Sequence, residues 1–136
     1  MDITLKVQYH EVVMVITDRI MKIRNLTSPE DYSKIHVQAN YVGEVRTLPS
    51  FSHFIVSFPE ETHPSFYFNP RQTVDLVLEY VQRAHEYLRG LNFKYSFALV
   101  PVPEGRLGER SFSHDYQLGY LELTTEKIPF LISDGE

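Results

Sequence analysis

The sequence contains no cysteine and no tryptophan, and its longest apolar run covers only residues 12–16. Without cysteine there is no disulfide framework, no thiolate zinc site and no cysteine nucleophile. The run at 12–16 is far too short to cross a bilayer, and the first residues lack the basic and then apolar pattern of a signal peptide. We therefore expect a cytoplasmic protein with no membrane partner.

Positive charge is also scarce, since 13 Lys and Arg face 18 Asp and Glu and leave a net charge of −5. Proteins that bind nucleic acid carry clustered basic side chains, so this balance argues against a nucleic-acid partner. The chain has no Walker loop, no dinucleotide fingerprint, no HExxH and no Gly-x-Ser-x-Gly motif. These absences favour a non-catalytic protein without a cofactor, with an enzyme kept as an alternative.

The composition is that of an ordinary folded domain. With 136 residues, 43% of them apolar, the chain is long enough to bury a core without metal or disulfides. No composition shift divides it, so we predict one domain over residues 1–136. The tail at about 126–136 is unassigned, although its apolar residues 128–132 can pack back on the domain.

The clearest element is a helix over about residues 70–90. Asn69 is a favoured N-cap, Pro70 suits the first helical position, and Gln72 can complete a capping box. Arg89 lies in the predicted last turn, and Gly90 offers a left-handed C-cap. The apolar stripe repeats at helical spacing; its residues are Val74, Val77, Leu78, Val81, His85 and Leu88.

The first 25 residues combine two patterns. Ile3, Leu5 and Val7 alternate with polar residues, which suggests a strand. From Glu11 onward the apolar residues follow a helical face, so we predict a helix over about 9–25. Because residues 12–16 are rich in β-branched side chains, a buried strand is the alternative there.

Apolar and polar residues alternate with period two in most of the remaining chain, which is typical of strands. The alternating segments are 35–41, 54–58, 66–68, 95–99 and about 114–124, the last with Tyr116, Leu118 and Tyr120 on one face. Short connections favour antiparallel pairing. The predicted fold is α+β, with a single antiparallel sheet of about 4–6 strands packed by the helices at 9–25 and 70–90.

Histidines are the main candidates for chemistry. His36, His53 and His114 fall on predicted strands and could converge on a metal ion, but no pair has the spacing of a preorganised site. His63, with Glu60 and Glu61 before it, could supply a general base. We predict neither a metal site nor catalytic residues. A ligand cavity lined by Phe and Tyr between helix and sheet is the third possibility.

The charged loop at 103–113 is the most suggestive segment. It holds Glu104, Arg106, Glu109 and Arg110, and arginine suits bidentate recognition of carboxylates. Long charged loops between strands often bind partners. We predict that these four residues and the exposed strand faces contact a protein partner or further copies of the chain.

The order of elements resembles that of phage tail-terminator and head–tail joining proteins, which have a helix, a sheet, a second helix and a final hairpin with a long loop. The resemblance implies homo-oligomeric rings and a place in a virion, although the strand-like start at 3–7 departs from it. One alternative is a small acidic inhibitor, such as an immunity or anti-defence protein. The other is a small-ligand-binding or hydrolytic enzyme with a sheet–helix cavity.

Overall fold

The computed structural model describes residues 3–43, 48–62, 64–101 and 116–126. A short 3-10 turn, Glu86–Leu88, follows the last helix. The helices and strands are, in chain order, β1 (Thr4–Gln8), α1 (Tyr9–Ile23), α2 (Pro29–Ser33), β2 (His36–Val42), β3 (Ser50–Ser57), β4 (Phe66–Phe68), α3 (Pro70–Ala84), β5 (Phe93–Pro101) and β6 (Tyr116–Thr125). The predicted α+β class and the antiparallel pairing are confirmed.

The prediction of a single sheet is wrong, because the strands form two antiparallel sheets of three. Their orders are β1-β6-β5 and β2-β3-β4. β1 pairs with β6 only as far as Gln8 opposite Tyr120, where the chain turns directly into α1. Past that point, the backbone N–H of Leu118 donates to the Tyr41 hydroxyl at 2.7 Å. A side chain of β2 therefore contacts β6 at a place that β1 does not reach.

The predicted helix at 9–25 is confirmed as α1. Its first turn is capped because the Gln8 backbone N–H donates to the Glu11 carboxylate at 3.0 Å. Asn25, with φ of 57°, adopts the left-handed conformation that commonly ends a helix. Three of the four β-branched residues of the 12–16 segment, Val12, Val15 and Ile16, are buried, so tertiary burial overrides their strand propensity.

The start of α3 matches its prediction in detail. The Gln72 backbone N–H donates to the Asn69 side-chain oxygen at 2.7 Å, and the Asn69 N–H donates to the Gln72 side-chain oxygen at 2.9 Å. Thr73 is buried and donates its hydroxyl to the Asn69 carbonyl oxygen at 2.9 Å. The capping box therefore satisfies two amides that the helix itself leaves free.

The end of α3 differs from its prediction. The helix stops at Ala84, and His85 is extended with φ of −132° and ψ of 102°. His85 is therefore exposed and does not belong to the buried stripe. The break lets the following 3-10 turn bury Leu88 completely, and Gly90, with φ of 80°, follows that turn.

The last strand contains a bulge that shifts its side-chain pattern. Ala98 pairs with Tyr120 while Leu99 pairs with Leu118, so Gly119 is an extra residue. The prediction that Tyr120 shares a face with Leu118 is therefore wrong, because the bulge moves Tyr120 to the outer face. The buried residues of β6 are Leu118, Leu121 and Leu123.

Replacing Gly119 should strain this bulge. A Cβ atom there would lie 2.5 Å from Cγ1 of Val100, well inside van der Waals contact. We expect Gly119→Ala to lower the free energy of unfolding by about 1–3 kcal/mol, measured by urea denaturation. Val100→Ala in the same chain should restore most of the loss. An equal loss in the presence and absence of Val100→Ala would contradict this explanation.

The core lies between the inner faces of the sheets and the helices α1 and α3. Residues of both helices and both sheets join one apolar cluster. Its fully buried members include Val12, Ile16, Ile20, Phe54, Val56, Val74, Val77, Leu88, Leu121 and Leu123. The outward side chains of both sheets are all at least partly accessible.

Candidate functional site

The predicted binding loop at 103–113 lies outside the described residues, and with it Glu104, Arg106, Glu109 and Arg110. The structure gives the two ends from which the connection starts. Pro101, the last residue of β5, pairs with Tyr116, the first residue of β6. The connection therefore leaves the end of the β1-β6-β5 sheet at which Tyr41 bonds to Leu118.

The predicted strand histidines do not converge. His36 pairs with Ser57, and His53 pairs with Asn40, so the two histidines lie four residues apart along the sheet. At about 3.3 Å per residue this separation is roughly 13 Å, too far for one metal ion; His114 lies outside the described residues. Within the described part of the chain, no group of three or more His, Asp or Glu could hold a metal.

The acidic loop after β3 is tied to the end of α1. The Glu61 carboxylate accepts a hydrogen bond from the Ser65 hydroxyl and another from Arg24 at 3.1 Å. The bond from Ser65, followed by that from Arg24, holds the pKa of Glu61 below its ordinary value. The Arg24 guanidinium also lies 4.3 Å from the ring centroid of Phe58. These contacts of Glu61 and Arg24 connect the loop to the end of α1. His63 lies outside the described residues.

Several of the aromatic residues considered for a helix–sheet cavity pack against each other. The Phe51 ring lies 4.5 Å from the Phe97 ring and 5.0 Å from the Phe54 ring, measured between centroids. Burial raises the pKa of Tyr9 above its ordinary value, and the nearby Tyr41 raises it further. Burial also raises the pKa of Tyr41. These five residues fill the region where the inner faces of the two sheets approach each other.

A groove of about 310 Å³ lies between α1 and α3. Its floor includes Val15 and Leu76, and the Glu79 carboxylate at its rim accepts from Arg19 of the other helix and from Arg83 at 2.9 Å. Glu79 and Arg83 are four residues apart, so they lie on the same side of α3. Because both arginines bond to the same carboxylate, the rim is an ion-pair network across two helices.

The outer face of the β2-β3-β4 sheet has an unusual composition. None of the outward residues of these three strands is Lys, Arg, Asp or Glu, and none is fully buried. Strand register and alternation give this surface, which we call the uncharged face; its residues are His36, Gln38, Asn40, Val42, Ser50, His53, Ile55, Ser57 and Tyr67.

The other sheet provides a direct comparison. Its outer face has the same three-stranded geometry, but it carries Lys6, Lys94 and Glu122. Lys6 lies opposite Glu122, and its ammonium lies 5.0 Å from the centre of the Tyr120 ring. This face is a typical solvated surface, so a lack of charge is specific to the uncharged face.

Exposed apolar side chains lie on the uncharged face. Tyr67 is 61% exposed and Val42 is 57% exposed, and Ile55 lies between Gln38 and Tyr67 in the same cross-strand row. The His53 ring lies 5.7 Å from the Tyr67 ring.

A bulge at Ser52 shapes one end of this face. Asn40 pairs with His53 while Tyr41 pairs with Phe51, which leaves Ser52 as the extra residue. The Ser52 hydroxyl hydrogen-bonds to Nδ1 of His53 at 2.8 Å. The bulge therefore orients the His53 ring beside Tyr67.

Protein interfaces have cores that are poor in charged residues and rich in aromatic ones. The uncharged face shares the lack of charge, and Tyr67 is its one tyrosine, phenylalanine or tryptophan. Its sheet also has two edges that suit binding. Among the described strands, β2 and β4 each have a neighbour on one side only, and unpaired edges are places where another chain can add. Chemically, the face can bury apolar area and exchange hydrogen bonds without removing a formal charge from water.

Comparisons of the chain with protein-family models, with curated proteins and with solved structures find no match. Within the described residues, no helix has the length and apolar character needed to cross a membrane.

Proposed function

We propose that the chain is a non-catalytic protein-binding or assembly protein and that a protein partner docks on the uncharged face. One observation carries the proposal: every outward side chain of β2, β3 and β4 lacks a formal charge while remaining accessible. In a chain with 23% charged residues, a solvated sheet face normally carries some of them, as the outer face of β1-β6-β5 does.

The low cost of desolvation favours docking on this face. A partner that covers a charged side chain must remove its water, which costs several kcal/mol per ion unless a counter-charge is supplied. On the uncharged face this cost does not arise. The exposed parts of Tyr67, Val42 and Ile55 provide apolar area, and an aromatic residue is the commonest type of hot spot in an interface.

The order of elements supports an assembly role. With the five-residue α2 set aside, α1, the β2-β3-β4 sheet, α3 and the β5-β6 hairpin follow the order found in phage tail-terminator and head–tail joining proteins. We propose a structural component of a virion as the specific version. β1, which departs from that order, pairs with β6 of the final hairpin. The loop at 103–113, with Arg106 and Arg110, is the second proposed contact.

Photo-crosslinking from the face tests the proposal. Benzoylphenylalanine in place of Tyr67 should capture a protein partner in cells of the organism that encodes the chain. The control places the same group at Tyr120, a half-buried outward tyrosine of the other sheet. We expect capture at position 67 to exceed that at position 120 at least about tenfold, which corresponds to about 1.4 kcal/mol of preference. Equal capture from both positions, or none, would overturn the proposal.

A further inference from the structure

We propose that the partner on the uncharged face is a second copy of the same chain, docked face to face about a two-fold axis. The inference rests on the proposed function, because it names the partner of the same surface. A two-fold contact places one surface against itself, so the surface has to be self-complementary. The hydrogen-bonding chemistry of the face meets this requirement.

The polar side chains of the face all both donate and accept hydrogen bonds. Amides, hydroxyls and imidazoles carry both functions, whereas ammonium and guanidinium groups only donate and carboxylates only accept. Two copies of Gln38, two of Asn40 or two of Tyr67 can therefore pair with each other. A face that carried Lys or Glu would need the opposite charge at the symmetry-related position.

Repulsion between two negatively charged copies also favours a contact through this face. Each chain has a net charge of −5, and like-charged molecules repel unless the contact keeps charges apart. A two-fold contact through the uncharged face brings no pair of formally charged outward strand residues together. It also buries the exposed parts of Tyr67, Val42 and Ile55 twice, once in each copy.

The size of the face sets the expected strength. β2 and β3 have seven and eight residues, but β4 has only three. At about 3.3 Å per residue and about 4.8 Å between strands, the patch measures at most roughly 23 Å by 15 Å. Stable complexes bury about 800 Å² per partner, which is more than such a patch provides. We therefore expect a weak dimer that forms at high micromolar concentration and dissociates on dilution.

Because the chain has no cysteine, a single introduced thiol reports on one position. Ile55→Cys places it at the centre of the face on the middle strand. Thr124→Cys is the matched control, since Thr124 is also half-buried and outward on the middle strand of the other sheet. Each variant is treated with a short bismaleimide over a dilution series, and urea denaturation confirms that both fold.

We expect a cross-linked dimer from Ile55→Cys at high concentration, falling on dilution, and at least about tenfold less from Thr124→Cys, a difference of about 1.4 kcal/mol. Equal yields, or no dimer from Ile55→Cys, would overturn the inference. The photo-crosslinking experiment separates the two proposals. Capture of a different protein from position 67, without a dimer, leaves the proposed function standing and removes the second copy; no capture of any kind removes both.

Discussion

Phe54→Ala should lower the free energy of unfolding by about 3–5 kcal/mol, the range found for truncating a buried phenylalanine. Phe54 is completely buried on the inner face of the middle strand β3. Its ring lies 5.0 Å from that of Phe51 and 6.3 Å from that of Tyr9. Removing it leaves a cavity where α1, β3 and the aromatic cluster meet, and the surrounding rings cannot fill that cavity without leaving their own contacts.

Phe66→Ala is the control for this prediction. Phe66 is also a phenylalanine, but it lies on the edge strand β4 and is only half-buried. We expect it to cost about half as much as Phe54→Ala. Urea denaturation followed by circular dichroism measures both losses. Equal losses for the two variants would show that Phe54 is not at the centre of the core.

Ile55→Lys should weaken docking on the uncharged face by about tenfold or more, which corresponds to at least about 1.4 kcal/mol. It places an ammonium group at the centre of the proposed contact. No carboxylate lies among the outward residues of these strands, so nothing on the chain's own face compensates for the lost hydration. In a two-fold dimer the effect is larger, because two ammonium groups meet.

The fold should tolerate this change, since Ile55 is half-buried and a lysine stem can lie along the sheet with its charge in water. Thr124→Lys is the matched control on the other sheet. Sedimentation equilibrium at high protein concentration measures self-association of both variants. If Thr124→Lys weakens association as much as Ile55→Lys does, the contact does not lie on the uncharged face.

The local signals in the sequence predicted α1 and α3 but not the five-residue helix α2. The capping box of Asn69 and Gln72 and the helical period of the apolar residues act over a few residues, so they can be read without knowing the fold. The predicted end of α3 was wrong. Gly90 is a favourable C-cap residue, so the sequence predicted a helix that continues to about residue 90. In the structure the helix ends at Ala84, and Leu88 is buried in the 3-10 turn that follows.

The division into two sheets could not be predicted from local pattern. It depends on where β1 stops beside β6 and on the bond between Leu118 and Tyr41, which are 77 residues apart. The bulge at Gly119 did have a signal, because a glycine inside a strand pattern often marks one. The bulge at Ser52 had none, since serine is compatible with regular strand.

The candidate site was predictable in part. Alternation along β2 and β3 separates His36, Gln38 and Asn40 from their apolar neighbours, and so identifies residues of the outer face. That Tyr67 of β4 extends the same surface follows only from its pairing with Ile55. The lack of charge can be recognised as a property of one surface only when the register shows that the three strands share a face.

The central claim, that the uncharged face binds a protein, is tested most directly by photo-crosslinking from position 67 with and without Ile55→Lys in the same chain. The claim predicts strong capture from position 67, little from position 120, and a loss of at least about tenfold, or about 1.4 kcal/mol, when Ile55→Lys is present. Capture that is equal at positions 67 and 120, or that Ile55→Lys leaves unchanged, would contradict it.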